Sequence, residues 1–97
     1  MSSPTPDDIT VQYNPAASRF EARVGAQLAV ADYLLEEGRI VFTHTYVPTG
    51  LRGHGIAEKL VRAGLEFARA EGRRVVPQCS YVDVFIQRHK EFQVLVD

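Results

Sequence analysis

Arg52-Gly53-His54-Gly55-Ile56-Ala57 lies between two stretches of opposite character. Residues 39–47 hold Ile40, Val41, Phe42 and Val47 in a β-like run, whereas residues 56–71 repeat apolar positions at steps of three and four. The glycine-rich turn therefore closes a strand and opens a helix. The first backbone N–H groups of a helix lack internal acceptors, and the helix dipole adds partial positive charge there, so this junction suits phosphate oxygens.

Two familiar phosphate loops do not fit the spacing. A dinucleotide fingerprint requires G-x-G-x-x-G or G-x-G-x-x-A, but Gly53 and Gly55 are followed by Glu58, whose bulk and charge oppose a pyrophosphate. A triphosphate loop requires lysine and a hydroxyl after its last glycine, and Gly55 is followed by Ile56 and Ala57. NAD and ATP are both disfavoured.

Working outward, Leu60, Val61, Gly64, Leu65 and Ala68 with Ala57 form one helix face, and Glu58, Lys59, Arg62, Glu66 and Arg69 fall elsewhere. Glu58 and Arg62 make an i,i+4 pair worth about 0.3 kcal/mol, and Gly72 supplies the stop. Upstream, residues 9–13 and 19–24 alternate apolar and polar around a turn at residues 14–18. Gly25 breaks that hairpin, residues 27–35 read as a third strand, and Glu36-Glu37-Gly38 turns into the fourth, over residues 39–47. Pro48 and Gly50 end it.

Downstream, residues 75–79 read as a fifth strand, and the long helical crossover makes it parallel to the fourth. Residues 81–87 and 91–96 are short amphipathic segments read as helices. The expected fold class is thus α+β: an antiparallel four-strand meander, a helix, a parallel fifth strand and short C-terminal helices.

Ninety-seven residues amount to one domain, so the site must be built into the fold itself. Residues 1–8 are expected to form a flexible tail, leaving 9–97 as a single ligand-binding domain. Eleven basic against twelve acidic residues recommend no nucleic-acid or membrane partner. The first eight residues lack the character of a signal peptide, so a cytoplasmic location is the default. A single cysteine, Cys79, excludes an internal disulfide, and three scattered histidines without paired carboxylates make no metal site.

Arg-x-x-Gly-x-Ala, from Arg52 through Gly55 to Ala57, resembles the acetyl-CoA signature of the GNAT N-acetyltransferase superfamily. The wider segments support the likeness: Phe42-Thr-His-Thr-Tyr-Val-Pro48, residues 51–60, Val76-Pro-Gln-Cys-Ser-Tyr-Val82 and Arg88-His89 resemble a subgroup of very small GNAT-like proteins. The likeness spans roughly residues 9 to 97. It implies acetyl-CoA as cofactor, its pyrophosphate held by the loop Arg52, Gly53, His54, Gly55, Ile56 and Ala57. It further implies splayed fourth and fifth strands, with Tyr46 and Val47 offering backbone partners to pantetheine. The implied function is transfer of an acetyl group to an amine acceptor.

Candidate catalytic residues follow from position. Cys79, at the carboxyl end of the fifth strand, is either a packed thiol or a covalent acetyl relay. Tyr81 shares the face of Cys79 if that strand continues, and there it either protonates the leaving thiol or edges the core. His44 shares a strand face with Phe42 and Tyr46, and is either a base or a hydrogen-bonded interior histidine. His54 has a positional role in the loop, and His89, between Arg88 and Lys90, reads as surface.

The chain departs from typical GNAT enzymes in one respect. Those carry two helices between their first two strands, where residues 14–18 form only a turn. An open acceptor groove follows, suited to a large acceptor such as a protein or to completion by another subunit, and oligomeric state stays open. The alternative reading is a non-catalytic acyl-CoA-binding or interaction module.

Overall fold

The computed structural model describes residues 9–96, and the expected tail at residues 1–8 lies outside them. Five strands form one sheet in the order β1-β2-β3-β4-β5: β1 (Val11–Asn14), β2 (Arg19–Val24), β3 (Gln27–Glu36), β4 (Arg39–Tyr46) and β5 (Arg74–Pro77). The first four are antiparallel neighbours, and β5 runs parallel to β4. Helix α1 (Ile56–Glu71) makes the crossover, followed after β5 by α2 (Ser80–Arg88) and a 3-10 helix, Lys90–Leu95. The expected α+β arrangement is the observed one.

Both ends of α1 match the sequence reading, because each is set by a glycine. Gly55 precedes it at φ 74° and Gly72 ends it at φ 67°, where the Gly72 N–H closes on the Ala68 and Arg69 carbonyls. Other boundaries differ. β1 begins two residues later than expected, although Ile9 is buried and its carbonyl accepts a hydrogen bond from Lys59 Nζ on α1. β5 ends at Pro77 rather than residue 79, since proline cannot donate to the ladder. The final segment, expected as a helix over 91–96, is the 3-10 helix Lys90–Leu95.

Helices α1 and α2 and the 3-10 helix Lys90–Leu95 pack on one face of the sheet. Leu60, Val61, Leu65 and Ala68 of α1 bury against Phe20, Ala31, Tyr33, Ile40 and Phe42, and Phe85, Ile86 and Phe92 extend that core. Arg62 lies over the Phe85 and Phe92 rings, which joins α2 and the 3-10 helix to α1. The opposite face is lined by alternate strand residues including Val30, Asp32, Val41 and Tyr46, and none of the described helices covers it. No helix among the described residues is long and apolar enough to cross a membrane.

The ladder between β3 and β4 contains an irregularity that alternation could not reveal. Asp32 lies opposite His44 and Tyr33 opposite Phe42, so one step of β3 spans two of β4 and Thr43 is the extra residue. The bulge reverses the alternation of side chains beyond it. Phe42 points into the core, whereas His44 and Tyr46 lie on the helix-free face and Thr45 on the helix side.

Contact between α1 and β4 depends on Gly64. A Cβ there would meet Phe42 Cε1 at 2.7 Å and Cζ at 3.0 Å, and the Phe42 ring is fully buried. Gly64→Ala gains helix propensity of about 1 kcal/mol but overpacks by about 1–3 kcal/mol. We expect a net loss of up to about 2 kcal/mol in urea denaturation, partly recovered when Phe42→Leu is added. A Gly64→Ala protein more stable than wild type would show that the helix does not approach the sheet this closely.

Candidate active site

The site forms where β4 and β5 part. Their parallel ladder ends at Phe42↔Pro77, while the pairing of β3 with β4 continues to Val30↔Tyr46. A last link, from the Cys79 N–H to the Phe42 carbonyl at 2.9 Å, holds the chain leaving β5. Beyond it Thr45 and Cys79 face each other across the gap, Oγ1 to Sγ at 3.5 Å.

At the carboxyl end of β4, Pro48 begins a short 3-10 turn, Thr49–Leu51, and the loop reaches α1 through Gly53 at φ 87° and Gly55 at φ 74°. Both angles are left-handed and favour glycine. Arg52 Nε donates to the Val47 carbonyl at 3.0 Å, tying the loop back to the strand it left. The intrahelical ladder starts with Lys59 N–H to the Gly55 carbonyl, and no side chain caps the helix start. The N–H groups of Ile56, Ala57 and Glu58 therefore lack intrahelical acceptors.

These groups surround a cavity of about 240 Å³ lined by Val47, Leu51, Arg52, Gly53, Gly55, Ile56, Ala57, Glu58 and Tyr81. A second cavity of about 100 Å³ continues between α1 and α2, sharing Glu58 and Tyr81 with the first and adding Val84, Phe85, Arg88 and His89. Six residues assigned to the loop or the end of β4 thus meet around one space. Tyr46 and His54 do not line it.

Cys79 is placed differently from the sequence expectation. It stands outside β5 as the N-cap residue of α2, because Pro77 ends the strand and Ser80 begins the helix. Tyr81 accordingly sits in the first turn of α2, and no continuing strand face joins it to Cys79. Partial burial raises the Cys79 thiol pKa, but hydrogen bonds from the Thr45 hydroxyl and from the backbone N–H groups of Val82, Tyr81 and Thr45 outweigh burial. The net effect is a thiol held below its ordinary value, the usual consequence of a helix N-terminus. Burial and then the Glu58 charge push the Tyr81 phenol upward, so it keeps its proton near neutrality.

His44 departs from its expectation as an interior histidine beside Phe42. It is exposed, not interior, and shares a face with Tyr46 but not with Phe42, because the bulge at Thr43 intervenes. His89 is half-buried, stacked on Phe85 at 3.9 Å, with Nδ1 2.8 Å from the Phe85 carbonyl.

Sequence reasoning missed three contributors. Thr45 reaches Cys79 only through the bulge, which leaves no compositional mark. Leu51 reads as loop but is buried beneath the cavity. Glu58 reads as a solvated helix charge, and its 3.8 Å pairing with Arg62 bears that out, yet it also forms cavity wall. Its place as the third residue of the helix was the available signal.

Comparison with known proteins follows the same lines. A profile described as GCN5-related N-acetyl-transferase matches residues 19–95. Protein NATD1 of Bos taurus is 33% identical over 84 residues, 84% of this chain and 74% of the relative. Protein NATD1 of Mus musculus is 31% identical over 84 residues, covering 76% of its own length. An NMR structure of a GCN5-like protein from Staphylococcus aureus superposes with a TM-score of 0.71 at 22% identity, covering 91% of this chain and 87% of that one, a likeness of fold.

The lowered Cys79 pKa has a measurable consequence. Iodoacetamide should alkylate the folded protein with a pH–rate midpoint below that of the urea-unfolded chain, since only the thiolate reacts. Thr45→Val should move the midpoint up. Because the folded value is depressed, the ionised thiol stabilises the fold above the unfolded pKa, and that stability is lost as pH falls through the folded value. Coincident midpoints for folded and unfolded chains would remove the thiolate-stabilising role of the α2 N-terminus.

Proposed function

This chain belongs to the GCN5-related N-acetyltransferase family, and we propose that it transfers the acetyl group of acetyl-CoA to an amine, with residues 9–97 acting as one cofactor-binding unit. The uncapped start of α1 within a cavity lined by Arg52, Gly53, Gly55, Ile56 and Ala57 carries this reading. Three unpartnered N–H groups and the positive end of a 16-residue helix suit a pyrophosphate. Pantetheine then enters the opening between β4 and β5 past Tyr46 and Val47, and the thioester comes to the level of Thr45 and Cys79.

In direct transfer the neutral amine attacks the thioester carbonyl and forms the C–N bond, the C–S bond breaks, CoA leaves as a thiolate, and the acylated nitrogen gives up one proton to water. Tyr81, two residues beyond Cys79 in the first turn of α2, is the proton donor to that thiolate, since its phenol keeps its proton near neutrality. A second route is favoured by the lowered pKa of Cys79. Its thiolate attacks the carbonyl, an S-acetyl bond forms as the C–S bond to CoA breaks, and the amine then takes the acetyl group from Cys79. A Cys79→Ala protein at full transfer rate excludes the relay, and an acetylated Cys79 peptide in mass spectra supports it.

Glu58 opposes the bound phosphates. A carboxylate at roughly 6 Å from a phosphate charge costs about 0.7 kcal/mol in water-like surroundings, so Glu58→Gln should tighten CoA binding about threefold. Added salt should narrow the difference. Calorimetric titration with acetyl-CoA and CoA tests the whole reading, and saturable binding by wild type with none by a folded Gly55→Glu variant is the expected result. Unchanged affinity in Gly55→Glu would overturn the phosphate-site assignment. Binding without transfer to any amine would leave an acyl-CoA-binding module.

A further inference from the structure

One face of the sheet is covered by no described helix. The bulge at Thr43 puts His44 and Tyr46 on that face, beside the part of β4 that β5 has left unpaired. Across the strands, Arg19 of β2, Asp32 of β3 and His44 of β4 stand in one row, since Arg19 lies opposite Asp32 and Asp32 opposite His44. Directly opposed side chains on antiparallel strands have Cβ atoms about 5 Å apart.

Charge within this row is unevenly used. Arg19 Nε lies 2.6 Å from Glu21 Oε2, and Asn14 Nδ2 donates to the same oxygen at 3.0 Å. Among the described residues the Asp32 carboxylate makes no ion pair and no side-chain hydrogen bond. Arg19 and Glu21 from β2 and Asp32 from β3 are the charged groups nearest His44 across the sheet. His44 is exposed, Asp32 half-buried, and Tyr46 is 47% exposed. A carboxylate without a cation thus sits next to an imidazole, at the mouth of the opening whose other side holds Thr45 and Cys79.

We infer that the amine acceptor docks on the helix-free face, where Asp32 receives its ammonium group and His44 takes its proton. This rests on the acetyl-transfer reading above and names the acceptor's side of approach and the residues that receive it. The ammonium loses one proton to an imidazole nitrogen of His44, and the freed lone pair forms the new C–N bond as the C–S bond breaks. Exposed His44 returns that proton to solvent, Tyr81 protonates the departing thiolate from the helix side, and the acylated nitrogen gives up its second proton to solvent, from which the Tyr81 phenolate is reprotonated. Donor and acceptor enter from opposite faces and do not compete for space.

The probe is Nα-acetyl-lysine amide, with Nα-acetyl-norleucine amide as its uncharged counterpart, titrated into the 15N-labelled full chain saturated with acetyl-CoA. The lysine compound should shift the backbone resonances of Asp32, His44 and Tyr46, and the norleucine compound should not. Asp32→Asn should weaken the lysine compound about tenfold, the loss of one charge-assisted hydrogen bond, and leave acetyl-CoA affinity unchanged. His44→Gln should lower kcat for acetylation of the probe, followed by mass spectrometry, with little change in its KM. Absent shifts, equal shifts with both compounds, or shifts confined to Tyr81, Val84 and Arg88 would overturn the inference. Failure of acetyl-CoA to perturb Gly53 to Ala57 would instead count against the cofactor site. Wild type that binds acetyl-CoA and the lysine compound at these residues but transfers nothing would overturn the enzymatic reading, and with it the proton-accepting role of His44, while the docking face stands.

Discussion

The pairing of β4 with β5 stops four residues before β4 does, and the features of the site follow from that mismatch. Pro77 cannot donate to the ladder, so β5 releases its neighbour after Phe42. Beyond that point β4 is held only by β3, and the bulge at Thr43 turns its side chains over. A continuous parallel ladder would have occupied the β4 backbone, kept Cys79 on a strand and left no opening between Thr45 and Cys79. The same release frees the chain to enter α2 immediately, and α2 then directs its first N–H groups at the Cys79 sulfur.

Two helix starts consequently converge on one region with different ligands in reach. That of α1 has no side-chain cap and opens on a cavity, the arrangement suited to an external anion. That of α2 has a side chain of its own in reach, since the Cys79 thiol occupies the N-cap and two amides of the first turn help to lower its pKa. Tyr81 connects the two, belonging to α2 but lining the cavity in front of α1. Its phenol is kept protonated by burial and by Glu58, which is itself a residue of the first turn of α1.

Legibility in the sequence followed the range of the interaction responsible. The limits of β2 and α1 and the order of all five strands were readable, because alternation, helical spacing and glycine stops are local. The glycine loop was readable for the same reason: Gly53 and Gly55 declare their backbone angles by identity. The bulge was not, for it exists only in the pairing of two strands, and Thr43 carries no composition that sets it apart from Thr45. His44 was therefore assigned to the wrong company, and Thr45 was overlooked. Cys79 was placed near the right point for an incomplete reason, since Pro77 was read as part of a strand that it in fact ends.

The turn at residues 14–18 leaves one face of the sheet without helices, and this alters what the remaining residues must do. Val30 and Val41 are nonetheless buried on that face, whereas His44 and Tyr46 are exposed there. Stability falls instead to the other face, where Ala29, Ala31 and Gly64 allow α1 to lie close against the sheet and Phe20, Tyr33 and Phe42 fill the space between. Concentrating the core on one side separates two requirements that compete in a domain of this size. The helix side is packed and holds the cavity, while the bare side can carry Asp32 and His44 in positions where a buried, unpaired charge would be too costly. Polar groups able to receive a charged acceptor are thus compatible with a small core only because the sheet is covered once.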